Sequence, residues 1–155
     1  MVFWSILVEG RWMKLARAIH LDTSDFQVFA APAKTDEWCV AGGCVCADWR
    51  PADLIGKARQ AFANGWLGLE SFGHATLVAV APVEARRYAA LAESLAAHFV
   101  AHYGDPDRRS ALPAAEAELA FMAELCAGHA DDTLLSVQRE LTETGVRERF
   151  RVIGE

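Results

Sequence analysis

Apolar and polar residues alternate with the two-residue period of a β-strand in several parts of the chain. The third of these stretches is interrupted by Gly42 and Gly43, and Pro82 is expected to end the fifth. A tight turn over residues 71–74 is expected to join the fourth to the fifth. The predicted strands cover residues 14–21, 26–30, 37–48, 66–70 and 75–81.

Helical periodicity marks three other segments. The first starts at Pro51 and stops at Gly65, and its predicted apolar stripe consists of Leu54, Ile55, Ala58 and Phe62. The others cover residues 84–103 and 114–127, and Gly128 follows the last one where a left-handed cap residue belongs.

The last part of the chain is open to two interpretations, because residues 133–141 fit either a helix or a strand. VRERFRVI (residues 146–153) alternates strictly, and TETG (residues 142–145) is a good turn, so we favour a terminal β-hairpin.

Strands grouped in hairpins with helices between them predict an α+β fold, a mainly antiparallel sheet with helices packed on one face. Residues 13–155 are expected to form one domain. Residues 1–12 are expected to be an N-terminal extension, either native or an artefact upstream of a natural start at Met13. This segment has neither the basic region nor the cleavage site of an export signal, so we expect a cytoplasmic protein.

Composition narrows the function classes. The chain has 155 residues, and 53% of them are hydrophobic, which is typical of an ordered globule. Its 15 Lys and Arg against 21 Asp and Glu give a net charge of −6, the opposite of what a nucleic-acid partner requires. Apolar runs are too short to cross a membrane, so neither nucleic acid nor membrane is an expected partner.

Three of the four cysteines, Cys39, Cys44 and Cys46, surround the Gly pair in WCVAGGCVCADW (residues 38–49). If the strand runs through, the glycines mark a bulge, which we prefer. If they form a hairpin turn, Cys39 faces Cys46 and a thiol pair is conceivable. The spacing C-x4-C-x-C matches no zinc ribbon or ferredoxin motif. We favour buried core cysteines, with thiol-redox chemistry as the alternative.

His98 and His102 lie one turn apart on the second predicted helix, as metal-binding histidines do. A metal site would need further ligands, and the Glu typical of such helices is absent between them. The alternative is that both histidines lie near the carbonyl ends of the last turns, where positive charge is favourable.

Arg147, Arg149 and Arg151 are expected on one face of the last strand. Three guanidiniums in a row could hold a carboxylate, a phosphate or an acidic partner. They could equally be exposed charges that protect a sheet edge.

The common catalytic signatures are absent from the sequence: it has no G-x-S-x-G elbow, no phosphate-binding loop, no G-x-G-x-x-G and no H-E-x-x-H. We therefore predict no catalytic residue and no cofactor.

Four stretches carry a resemblance over nearly all of the chain from Met13 onward: KLARAIHLD, GKARQAFANGWLGLESFG, HFVAHYGDPD and VRERFRVI. With them the chain resembles a small family of uncharacterised bacterial α+β proteins. The resemblance implies a bacterial cytoplasmic setting and an accessory role in the maturation of a redox enzyme.

We therefore expect a non-catalytic accessory or binding protein with a protein partner or a homo-oligomeric state. The alternatives are a small metal-binding protein or enzyme that uses His98 and His102, and a thiol-redox protein.

Overall fold

A computed structural model describes residues 12–43, 50–102 and 107–154. Its strands are β1 (Trp12–Ile19), β2 (Trp38–Val40), β3 (Trp66–Gly68), β4 (His74–Ala75), β5 (Leu77–Glu84), β6 (Leu134–Thr142) and β7 (Gly145–Val152). Its helices are α1 (Asp25–Val28), α2 (Gly56–Asn64), α3 (Ala85–His102) and α4 (Arg108–Ala127), and a short 3-10 helix covers Pro51–Asp53. None of the helices described is long and apolar enough to cross a membrane.

The seven strands form one sheet in the order β4-β3-β2-β1-β5-β6-β7, and neighbouring strands are antiparallel. The fold is therefore α+β with an antiparallel sheet, as the sequence predicts. The long pairing of β1 with β5 forms the centre, where Ala16 lies beside both Cys39 of β2 and Val80 of β5.

The central strands are buried on both faces, because the adjacent residues Leu15 and Ala16 of β1 point to opposite sides and neither is exposed to solvent. Helix α4 contacts β1 and β2 and runs beside α3. Phe121 of α4 meets Phe150 of β7, with the ring centroids 5.7 Å apart. Helix α4 therefore covers the face to which Phe150 points.

The predicted strand at residues 26–30 is wrong, because this part of the chain contains the short helix α1. The buried Asp25 at its start accepts hydrogen bonds from the backbone N–H and the hydroxyl of Thr76. Backbone N–H groups of Gln27 and Val28 donate to Ser24. These tertiary and local bonds hold a helical turn that alternation alone does not reveal.

The predicted strand at residues 37–48 is much shorter in the structure. Strand β2 ends at Val40, and Gly42 follows with a φ of 89°, in the region that favours glycine. Residues 44–49, including Cys44 and Cys46, lie outside the described residues.

Pro82 does not end the fifth strand, since β5 continues to Glu84. Strand β5 pairs with β6 only over residues 77–79. Pro82 lies beyond this pairing, so the N–H that proline lacks is not needed for a hydrogen bond to β6. Gly128 does follow α4, but its φ is −84°, so it is not the expected left-handed cap.

Some helices begin at other residues than the sequence predicts, because local capping hydrogen bonds determine where a helix starts. Helix α4 begins at Arg108 rather than at 114, because the Asp107 carboxylate accepts a hydrogen bond from Ser110 N–H at 2.9 Å. The segment from Pro51 begins as the 3-10 helix, and α2 starts only at Gly56. Strand β1 begins at Trp12, the last residue of the predicted extension.

A buried carboxylate ties β2 to the loop after β3. Glu37 is 1% exposed and accepts hydrogen bonds from the backbone N–H groups of Lys34, Glu70 and Ser71 and from the Ser71 hydroxyl. Burial by itself would raise the pKa of Glu37, but these hydrogen bonds outweigh it and hold the pKa below the ordinary value of 4.5.

Replacing Glu37 by Gln is expected to lower the free energy of unfolding at pH 7 by about 2 kcal/mol, because charge-assisted hydrogen bonds are lost in a buried site. The folded-state pKa of Glu37 is depressed, so its contribution is present above pH 4.5 and is lost as pH falls below that value. Urea unfolding at several pH values measures this effect. The difference in free energy of unfolding between wild type and E37Q should become smaller as the pH is lowered. The exposed Glu84→Gln is the control, and a constant difference for E37Q across pH would contradict this account.

Candidate binding surface

Strands β6 and β7 form the predicted terminal hairpin. They pair over their whole length, from Leu135 opposite Val152 to Thr142 opposite Gly145, with Glu143 and Thr144 as the turn. Gly145 has a φ of 127°, and the Thr142 hydroxyl donates to the Gly145 carbonyl at 2.7 Å. The turn chemistry fixes the register, which determines the direction of every side chain on β7.

Arg147, Arg149 and Arg151 share one face of β7, and all three are exposed. Their cross-strand neighbours on β6 are Glu140, Gln138 and Ser136 respectively. Arg147 forms an ion pair with Glu140. We call this surface, composed of the three arginines with Ser136, Gln138 and Glu140, the arginine face.

A cavity of about 350 Å³ opens on the arginine face, between the hairpin and the end of α2. The α2 residues Ala63 and Asn64 line one side, and Asn64 Nδ2 donates to the carbonyl of Val137 at 3.3 Å. The remaining lining residues are Gln138, Arg139, Glu140, Arg147 and Arg149. Of the three guanidiniums in the lining, Arg139 is bonded to Glu148 and Arg147 to Glu140. The third, on the exposed Arg149, can receive an anionic group.

The opposite side of the hairpin is anchored by one buried guanidinium. Arg139 is 6% exposed, and its Nε donates to Glu148 Oε2 at 2.8 Å. Its Nη1 donates to the carbonyls of Phe62 and Gly65 at the end of α2, and its Nη2 donates to the Ala41 carbonyl. This side chain joins α2 and the end of β2 to the hairpin.

Sequence reasoning did not identify Arg139, although a signal exists. Once β6 is known to be a strand, Arg139 has the same parity as the buried Leu135 and Val137, so it must point inward. An inward arginine requires a partner, and Glu148 lies directly opposite on β7.

The structure places His98 and His102 near the end of α3, with their ring centroids 4.6 Å apart. Phe72 stacks on His98 at a centroid distance of 3.8 Å. Burial and the nearby His102 lower the pKa of His98. No group of three or more potential metal ligands occurs among the residues that the structure describes.

Cys39 lies in the sheet and is paired on both sides, with Ala16 of β1 and Gly68 of β3. Both neighbours of Cys39 in the sheet are therefore β1 and β3, and Cys46 of the predicted thiol pair lies outside the described residues. Cys39 and Cys126 are both buried free thiols. Burial raises the pKa of Cys126 to about 12, and burial with the nearby Glu37 charge raises that of Cys39.

His20 and Asp25 form another buried polar cluster. Its Nδ1 lies 2.6 Å from Asp25 Oδ2, and its Nε2 lies 2.8 Å from the Ala33 carbonyl. Each ring nitrogen is therefore within hydrogen-bond distance of one oxygen of a neighbouring segment. The ring links the end of β1 to α1 and to the loop that follows it.

Replacing Arg139 by Lys is expected to lower the free energy of unfolding by about 3 kcal/mol, because an ammonium group cannot reach carbonyls and a carboxylate in four directions. The matched control is Arg149→Lys, the same change on the exposed side of the hairpin, which should cost less than about 0.5 kcal/mol. Urea unfolding of the two variants measures the difference, and equal losses would show that Arg139 has no anchoring role.

Cys39 and Cys126 are expected to resist alkylation by iodoacetamide at pH 8 in the native protein, since both thiols are buried and hold their protons. Peptide mapping by mass spectrometry assigns the modification to each cysteine. Full labelling of both in guanidinium is the control, and rapid native labelling of either would revive the thiol-redox hypothesis.

A family model described as "Family of unknown function (DUF6505)" matches residues 13–155. The search of curated proteins and the search of solved structures gave no match.

Proposed function

The protein belongs to this DUF6505 family of unknown function, and we propose that it is a non-catalytic binding protein that holds an acidic partner on its arginine face. The observation that carries the proposal is the row of three exposed arginines on β7 of a chain whose net charge is −6. A local positive surface on an acidic protein favours acidic groups there and disfavours them elsewhere.

The buried polar groups support a binding role rather than catalysis. Glu37 accepts four hydrogen bonds, and Arg139 donates four. In the His20–Asp25 pair, His20 contacts the Ala33 carbonyl and Asp25 accepts a hydrogen bond from Thr76. These groups stabilise loops and helix ends and already have their partners. On the arginine face, in contrast, Arg147 pairs with Glu140 while the exposed Arg149 and Arg151 extend toward solvent.

The accessory role in redox-enzyme maturation stays a prediction, and it fits a protein that binds rather than reacts. The metal-binding alternative rests on His98 and His102, which supply two imidazoles. It would be supported by a metal-dependent rise in Tm that His102→Ala abolishes.

The binding proposal is tested with a fluorescently labelled oligoglutamate peptide and anisotropy at low salt. We expect saturable binding that weakens as salt is added, because exposed charges are screened. The double variant R149E/R151E should bind at least about ten-fold more weakly, a loss of about 1.4 kcal/mol.

The control is R86E/R87E, which makes the same change in charge at exposed positions of α3. Absence of saturable binding by the wild type, or an equal loss in the two double variants, would overturn the proposal.

A further inference from the structure

Strand β7 is the last strand of the sheet, and its outer edge pairs with no strand among the described residues. The Ile153 N–H donates to the Leu134 carbonyl at 2.9 Å. In an antiparallel ladder the residues that bond to the neighbouring strand alternate with those that do not. The odd-numbered residues of β7 therefore bond to β6, and the even-numbered ones direct N–H and C=O outward. These outward residues are Val146, Glu148, Phe150 and Val152.

The two sides of this edge differ in chemistry. On one side lies the arginine face. On the other, a groove of about 650 Å³ runs between β7 and α4, with Phe121, Leu125, Val146 and Phe150 as its apolar lining. Phe121 is 43% exposed. Glu124, Arg147 and Glu148 complete the lining, and Glu148 is held by Arg139.

A second copy of the chain is a poor occupant of this edge. Two copies of β7 related by a two-fold axis would have to bond through their even-numbered residues, since the odd-numbered ones are used by β6. Such antiparallel registers also pair odd residues with odd residues, and the registers with the greatest overlap of the two strands place arginine opposite arginine. Like charges directly opposite each other destabilise a sheet.

We propose that an extended segment of a partner protein, in which acidic residues alternate with apolar ones, adds as a strand to the β7 edge. Its backbone bonds to Glu148 and Phe150, its acidic side chains lie beside Arg149 and Arg151, and its apolar side chains enter the groove beside Phe121. The inference rests on the proposed binding function and names the partner's form and chemistry.

The test compares two labelled peptides of identical composition, one with glutamate and valine alternating and one with the glutamates in a block. The alternating peptide should bind at least about ten-fold more tightly, because only it can satisfy both sides of the edge at once. Phe121→Ala should weaken binding of the alternating peptide and leave the affinity for the block peptide unchanged. Phe26→Ala, a comparably exposed phenylalanine on α1, is the control.

Amide hydrogen exchange gives an independent readout. On binding, the amides of Glu148 and Phe150 should exchange more slowly, whereas the amide of Arg149, already directed at β6, should change little. Slow exchange at Glu148 and Phe150 in the free protein would mean that another segment of this chain occupies the edge, and would overturn the inference.

The remaining outcomes separate the two proposals. Equal binding of both peptides would overturn strand addition and leave the arginine face as an electrostatic site. Binding of neither peptide, together with failure of the oligoglutamate probe, would overturn the proposed function as well. Concentration-dependent self-association of the wild type, with slower exchange at the amides of Glu148 and Phe150 as the protein concentration rises, would identify a second copy as the occupant and overturn the acidic partner segment.

Discussion

The candidate surface depends on the buried guanidinium of Arg139. Its donors meet one carboxylate and three backbone carbonyls, two of them at the end of α2. Helix carbonyl ends carry partial negative charge, so a cation there stabilises the helix as well as the hairpin. Without it, three buried carbonyls and the partly exposed Glu148 carboxylate would lose a donor, and the hairpin would lose its attachment to the end of β2.

Glu37 has the complementary role beside β2 and β3. It gathers donors from two loops, as Arg139 gathers acceptors from α2, the end of β2 and β7. Gly43 and Gly68 lie against these two networks: a Cβ at Gly68 would overlap the Glu37 carboxylate, and one at Gly43 would lie 2.6 Å from Glu148 Oε2. A side chain at either position would have to displace a carboxylate from its hydrogen-bond partners.

Local patterns predicted much of the fold. The strict alternation of VRERFRVI and the turn TETG gave the hairpin and the common face of the three arginines, and the Ala-rich period gave α3. Prediction failed where distant residues decide the structure. The bond from Thr76 to Asp25 favours a helical turn at residues 25–28, and the end of the β6 pairing lets β5 continue through Pro82. The anchoring role of Arg139 could not be read from spacing, because its acceptors come from distant parts of the chain.

The order of strands in the sheet has a consequence for the rate of folding. Strand β1 lies between β2 and β5, and the Arg139–Ala41 bond joins residues 98 positions apart. Contacts between distant residues require large loops to close before any stabilising energy is gained, which slows folding. The hairpin and the pair α3–α4 are local and can form early. Until β5 pairs with it, the apolar central strand β1 lacks the strand with which it forms its most extensive pairing. The chain is most prone to aggregation during this stage of folding.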